Sequence, residues 1–215
     1  MLPERLRILY LHGFASSPAS RKARFFADRL AGLGVKLEIP DLCENHFESL
    51  TITGQLKIVE RTIAAASGER VVLIGSSLGG YLAALYAARH PEIHRLVLLA
   101  PAFQFYELWR RELGPQRMAA WRETGSIAVF NYAEGRELPL GYSLMEDAAG
   151  YESFPEFSQP ALIFHGTLDS VVPVQQSVAY AEAHENVRLV CLESGHELTD
   201  VLEKIWAQTK DLLFV

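Results

Sequence analysis

The chain is poor in the residues that mark several large functional classes. Of 215 residues only two are cysteine, Cys43 and Cys191, with neither the spacing nor the neighbours of a metal or redox motif. Two idle thiols fit a reducing compartment. The first ten residues carry Glu4, Arg5 and Arg7 and lack the apolar stretch of a secretory signal, so a cytoplasmic protein is expected. No run of lysine or arginine is present and the net charge is −6, which gives no footing for a nucleic-acid backbone. No apolar run approaches the length of a bilayer; residues 96–103 are broken by Pro101. There is no metal-ligand spacing and no glycine-rich phosphate loop, so neither a metal nor a cofactor is expected. What remains is 49% apolar and 21% charged, ordinary material for one soluble domain with a sizeable core.

Short apolar segments at residues 6–11, 35–39, 71–75, 95–100, 161–165 and 187–192 read as strands. Between them lie helical patterns at 18–31, 50–66, 82–89, 173–184 and 197–212, the first entered through Ser16, Ser17 and Pro18. Apolar strands alternating with helices imply an α/β fold, a minimal six-stranded, mainly parallel sheet covered on both faces. The first four strands start about 25 to 35 residues apart, and then the rhythm breaks. Residues 102–157 are an insertion holding half of the 22 aromatics in about a quarter of the length. Helices over 104–113 and 115–122 and a hairpin over 128–140, turning at Glu134-Gly135, are expected there. An apolar cap over the sheet edge would explain the composition, with Phe14, Phe103, Trp109, Trp121 and Tyr142 lining a substrate pocket.

The most informative stretch is Val71-Val72-Leu73-Ile74-Gly75-Ser76-Ser77-Leu78-Gly79-Gly80-Tyr81. A buried strand, Gly-x-Ser-x-Gly and an alanine-rich helix form the context of a nucleophile elbow, with Ser77 in frame between Gly75 and Gly79. A serine hydroxyl needs a base, and a histidine base needs a group that fixes its tautomer. Asp169, a few residues past the fifth strand, and His196, just after the sixth, stand where such partners belong. The order Ser77, Asp169, His196 fits. Asp200 reads as an exposed helix residue, Glu193 and Asp147 as poorly placed carboxylates, and His165 as a structural histidine bonding the turn of Asp169. The backbone N–H groups of Leu78 and of Phe14, in the His12-Gly13-Phe14 loop, are the candidate oxyanion donors. Arg21, Lys22 and Arg24 read as a charged, exposed helix face; a site for an anionic leaving group is the alternative.

With these motifs assembled, the chain resembles a small α/β-hydrolase over nearly its whole length. Leu11-His12-Gly13-Phe14-Ala15-Ser16-Ser17-Pro18 together with the elbow resembles the compact bacterial YqiA-like serine esterases, which as a group carry little cap. The resemblance implies a serine esterase acting on a small-molecule ester or thioester; hydrolysis by these three residues needs no cofactor, and the composition points to neither a nucleic-acid nor a membrane partner. Residues 142–147, ahead of Pro160, are similar to a pattern in serine hydrolases that remove acyl groups from larger molecules. The expected activity is hydrolysis of short- to medium-chain acyl esters through an acyl-enzyme. Thioester or carbon–carbon hydrolysis by the same three residues is the first alternative. A non-enzymatic binding module on this fold is the second, and such a module has no reason to keep all three.

Overall fold

The computed structural model describes residues 6–44, 46–64 and 69–214. Six strands, β1 (Leu6–Leu11), β2 (Leu37–Glu38), β3 (Arg70–Ser76), β4 (Arg95–Leu99), β7 (Ala161–Gly166) and β8 (Val187–Leu192), form one sheet in the order β2-β1-β3-β4-β7-β8. Every pairing in it is parallel. Alternate side chains serve opposite faces, as the pleat requires. Ile8, Tyr10, Val72, Ile74, Val97, Leu99, Leu162 and Phe164 meet α1 (Arg21–Ala31) and α7 (Leu202–Phe214). Leu9, Leu11, Leu73, Leu98 and Ile163 face the other way, onto α2 (Ile52–Ala64), α3 (Leu78–Arg89) and α6 (Val174–Ala183). Burial on both sides explains why these strands are near-continuous apolar runs.

Several boundaries differ from the sequence pattern. Helix α1 starts later than residue 18, because Ser20 is its N-cap and its hydroxyl accepts from Ala23 N at 3.4 Å. Strand β2 shrinks to two residues at the sheet edge. Helix α7 begins at Leu202 rather than at 197, so exposed Asp200 lies in the turn before it and accepts a hydrogen bond from Ser194. The expected end of the second helix, residues 65–66, lies outside the described residues.

Between β4 and β7 the insertion folds as α4 (Phe105–Thr124), β5 (Ser126–Asn131), β6 (Arg136–Gly141) and α5 (Ser143–Ala148). The two expected helices run on as α4 across a kink at Gly114, φ 69° and ψ 168°, just before Pro115. The hairpin forms as an antiparallel pair, slightly longer than expected. Its turn is built by Asn131, whose Oδ1 accepts from Ala133 N at 3.0 Å and Glu134 N at 3.1 Å. Helix α5, too short to show a period, was absent from the sequence pattern. Its Asp147 accepts from Thr53 N (2.8 Å) and Thr53 Oγ1 (2.6 Å), capping α2 and tying the insertion to the sheet's helical layer.

Candidate active site

Ser77 sits between the last residue of β3 and the first of α3, at φ 53° and ψ −118°. A non-glycine residue there is strained and persists only where its surroundings fix it. Here they do. Ser77 N donates to Leu99 O at 2.9 Å, while Ser77 O accepts from Gly80 N, Tyr81 N and Ala102 N at 2.9–3.1 Å. The flanking glycines are required by contact: a Cβ on Gly75 would stand 2.3 Å from Gly79 O, and one on Gly79 would stand 2.1 Å from Leu11 O.

The chain brings His196 and Asp169 to this serine. His196 Nε2 lies 3.0 Å from Ser77 Oγ, and its Nδ1 lies 2.7 Å from Asp169 Oδ2. Asp169 is presented by the turn after β7, where its Oδ1 accepts from Val171 N and Val172 N, each at 2.8 Å. His165, wholly buried at the end of β7, donates from Nε2 to Val172 O at 2.9 Å and lies 3.2 Å from Asp169 Oδ2. Its Nδ1 meets Ser177 Oγ at 2.7 Å. His165 thus holds the turn as expected and also touches the carboxylate itself. Burial alone would raise the Asp169 carboxyl. Hydrogen bonds from His165 and His196, the His196 charge and the Val172 amide outweigh it and hold the group below the usual carboxylate range. The Asp169 side chain is fully shielded, and that of His196 is 14% exposed.

The His12-Gly13-Phe14 loop abuts the elbow, since a Cβ on Gly13 would lie 3.4 Å from that of Ser77. His12 does more than mark a tight turn. Its Nε2 accepts from Leu42 N at 3.1 Å, so Nδ1 carries the proton and donates to Gly13 O at 3.0 Å. Burial lowers its pKa, which keeps the ring neutral. In a trans peptide C=O and N–H point oppositely, so the Phe14 N–H is turned away from His12. Leu78 opens α3, and its N–H has no partner within the helix.

Of the residues expected to line a pocket, Phe14, Trp109 and Tyr142 are half-buried, whereas Phe103 and Trp121 are wholly buried. Phe103 stacks on Tyr180 at 4.5 Å, and Trp121 donates from Nε1 to Leu140 O at 3.0 Å. Both are packed in the interior and have no exposed surface. A chain of rings, Phe47–Phe14–Trp109–Trp121–Tyr142, with centroids 5.3–5.6 Å apart, runs from the Phe14 loop into the insertion. The hairpin reaches the same loop, because Tyr132 N donates to Ala15 O at 2.8 Å. Asp147 is hydrogen-bonded to Thr53 and Glu193 is exposed, and two surface cavities near the end of α3 are lined by none of Ser77, Asp169 and His196. Lys22, read as part of an exposed face, is buried against the His196 loop. Its spacing to Phe26 and Leu30 on α1 was the available signal. Among the described residues no group of His, Cys, Asp and Glu could hold a metal, and no helix is long and apolar enough to cross a membrane.

Residues 7–213 match the Uncharacterised protein family UPF0227. The chain belongs to that family. Solved structures share its fold: mouse alpha/beta hydrolase domain-containing protein 10 superposes with TM-score 0.79 at 20% identity, covering 99% of this chain and 90% of that one. Est1E of Butyrivibrio proteoclasticus gives 0.76 at 23% identity over 98% and 89%. A protein from Agrobacterium vitis S4 gives 0.86 at 22% identity over 97% and 88%. The fold is that of the α/β-hydrolases. In sequence the chain is 27% identical over 168 residues to monoacylglycerol lipase abhd6-B of Xenopus laevis, covering 74% of this chain and 45% of the relative. It spans about half the length of the curated relatives it matches.

Proposed function

We propose that this UPF0227 protein is a serine hydrolase of carboxylic esters that works through an acyl-enzyme. The observation that carries the reading is the unbroken hydrogen-bonded line Ser77 Oγ, His196 Nε2, His196 Nδ1, Asp169 Oδ2. Ser77 Oγ attacks the ester carbonyl carbon while His196 Nε2 takes its proton. Asp169 keeps the other ring nitrogen protonated and supports the imidazolium. The carbonyl electrons move onto oxygen, which the N–H groups of Leu78 and Phe14 stabilise, the latter aimed by His12. The intermediate collapses, the alcohol leaves with the proton from His196, and Ser77 holds the acyl group. A water deprotonated by His196 then attacks, and the acid departs as Ser77 regains its proton.

The names of the relatives support an ester as the substrate: the Xenopus laevis proteins are monoacylglycerol lipases, and Est1E has been solved with ferulic acid bound. Residues 102–157 act as a cap in this reading. Trp109, edge-on to Phe14 at 5.3 Å, forms an apolar wall for an acyl group of short to medium length. The test is hydrolysis of p-nitrophenyl esters from acetate to decanoate. Ser77→Ala is expected to lose on the order of 10⁶ in kcat and to escape labelling by a fluorophosphonate. A Ser77→Ala protein that keeps wild-type turnover refutes the reading.

A further inference from the structure

Lys22 is the second residue of α1, only 8% exposed. Lysine is rarely buried unless paired, and the first turn of a helix is the positive end of its dipole. Both burial and position therefore oppose a cation here. Burial lowers the ammonium's pKa, against the pull of Glu197 and Asp169. Nζ reaches the Glu197 carbonyl oxygen at 2.9 Å and the Glu197 carboxylate at 3.3 Å. The carboxylate is 76% exposed, so solvent screens that pair. The shorter and better shielded bond is to the backbone of the residue after His196.

That backbone needs holding. The loop leaves β8, and its front is fixed where Leu168 N donates to Ser194 O at 3.0 Å and Ser194 donates to Asp200. After His196 the chain passes through Leu198 at φ 53°, an uncommon conformation for leucine. Lys22 grips the peptide between those two residues. It does so from the helix that follows the Phe14 loop, across 175 positions of sequence. We propose that Lys22 is a positioning residue for His196: by donating to the Glu197 carbonyl, it fixes the loop that presents the imidazole between Asp169 and Ser77. The proposal rests on His196 serving as the base.

Lys22→Met keeps the apolar stem and removes the donor; Glu197→Ala removes the exposed carboxylate but leaves the carbonyl. Small displacements of a catalytic group cost up to about 10²-fold, so Lys22→Met is expected to lose roughly 10- to 100-fold in kcat per active site, with KM little changed. The far-downfield proton resonance of His196 Nδ1–H should broaden or vanish in the same variant, while Glu197→Ala keeps both kcat and the resonance. Wild-type kcat and resonance in Lys22→Met overturn the proposal, as does an equal loss in Glu197→Ala, which would make the ion pair the active element. If Lys22→Met does not fold, Lys22→Gln carries the same test. Failure of both to fold would make Lys22 a core residue and overturn the proposal as well. Wild-type turnover in Ser77→Ala would sink the ester reading instead, and the resonance would then still judge the placement of His196.

Discussion

At the elbow, a Cβ added to Gly79 would stand 2.1 Å from Leu11 O and 2.6 Å from His12 O, whereas at Gly114, Gly125 and Gly135 in the insertion it would meet nothing within 4 Å. The sheet edge is built by backbone pressed on backbone, and the insertion by rings packed on rings. The elbow glycines are needed for space, while Gly114, Gly125 and Gly135 are needed for positive φ at a kink, a helix end and a turn; Gly141, against Glu48 O, is the insertion's one tight glycine. The edge holds Ser77 at its strained φ of 53° through hydrogen bonds to both its N–H and its carbonyl. The insertion instead rests largely on aromatic contacts, pinned by hydrogen bonds such as Thr53 to Asp147 and Tyr132 N to Ala15 O. In the proposed mechanism the first region carries the chemistry and the second shapes what reaches it.

Substitutions at glycine break this contrast most directly. Gly79→Ala forces a methyl into the backbone carbonyls of Leu11, the last residue of β1, and His12, and is expected to cost more than about 4 kcal/mol or to abolish folding. Gly125→Ala, at φ 80° with open space around it, should cost only about 1–2 kcal/mol. Urea denaturation of both proteins decides, and equal losses would mean the two regions are not built differently. Next in size is Trp121→Ala, expected to lose about 3–5 kcal/mol because the indole is wholly buried and hydrogen-bonded. Half-buried Trp109→Ala should lose less stability but move the acyl-length optimum towards longer esters. A shift with Trp121 and none with Trp109 would reverse the roles given to the two rings.

The smallest effect is acid sensitivity. Asp169 is held below the usual carboxylate range, so the native state releases its proton more readily than the unfolded chain does. The stability this supplies is fully present above the unfolded value, about 4, and is lost as pH falls through the folded one. Asp169→Asn should therefore show a flatter decline of stability below about pH 4 than wild type. In the insertion, Glu152 is also lowered, chiefly by its hydrogen bond from Arg89, but its carboxylate is 56% exposed. Glu152→Gln should leave the acid limb nearly unchanged. An equal flattening in both variants would remove the distinction between shielded edge and exposed insertion.

Much of the edge could be read from the sequence because its constraints are local. A parallel strand buried on both faces is a continuous apolar run, and an elbow with no room for a Cβ must write glycine at 75 and 79. The start of α1 was harder, since Ser16, Ser17 and Ser20 are all competent caps. Ser20 prevails where Ser20 N donates to Ser17 O at 3.1 Å, making residues 17–20 a turn ahead of the helix. Helix α5 has six residues, too few for a period to stand out. His12 gave no sign of its anchoring role, because its second partner is Leu42, thirty positions on.

The aromatic insertion shows the opposite case. Composition marked residues 102–157 as unusual, and the hairpin and helices lie close to their expected places. It could not say that Phe103 and Trp121 turn inward while Trp109 and Tyr142 stay half-open, since ring orientation depends on partners such as Tyr180 and Leu140. By itself the sequence determined the strand order along the chain, the serine in its turn, and the strand ends from which Asp169 and His196 arise. Each of these follows from the conformational limits of a few adjacent residues. Only the tertiary structure decided that Lys22 reaches the Glu197 carbonyl, that His165 touches the carboxylate of Asp169, and that the insertion grips the Phe14 loop through Tyr132 and Trp109. Those outcomes depend on which surfaces are left to be covered once the sheet has assembled, and no stretch of sequence carries that information alone.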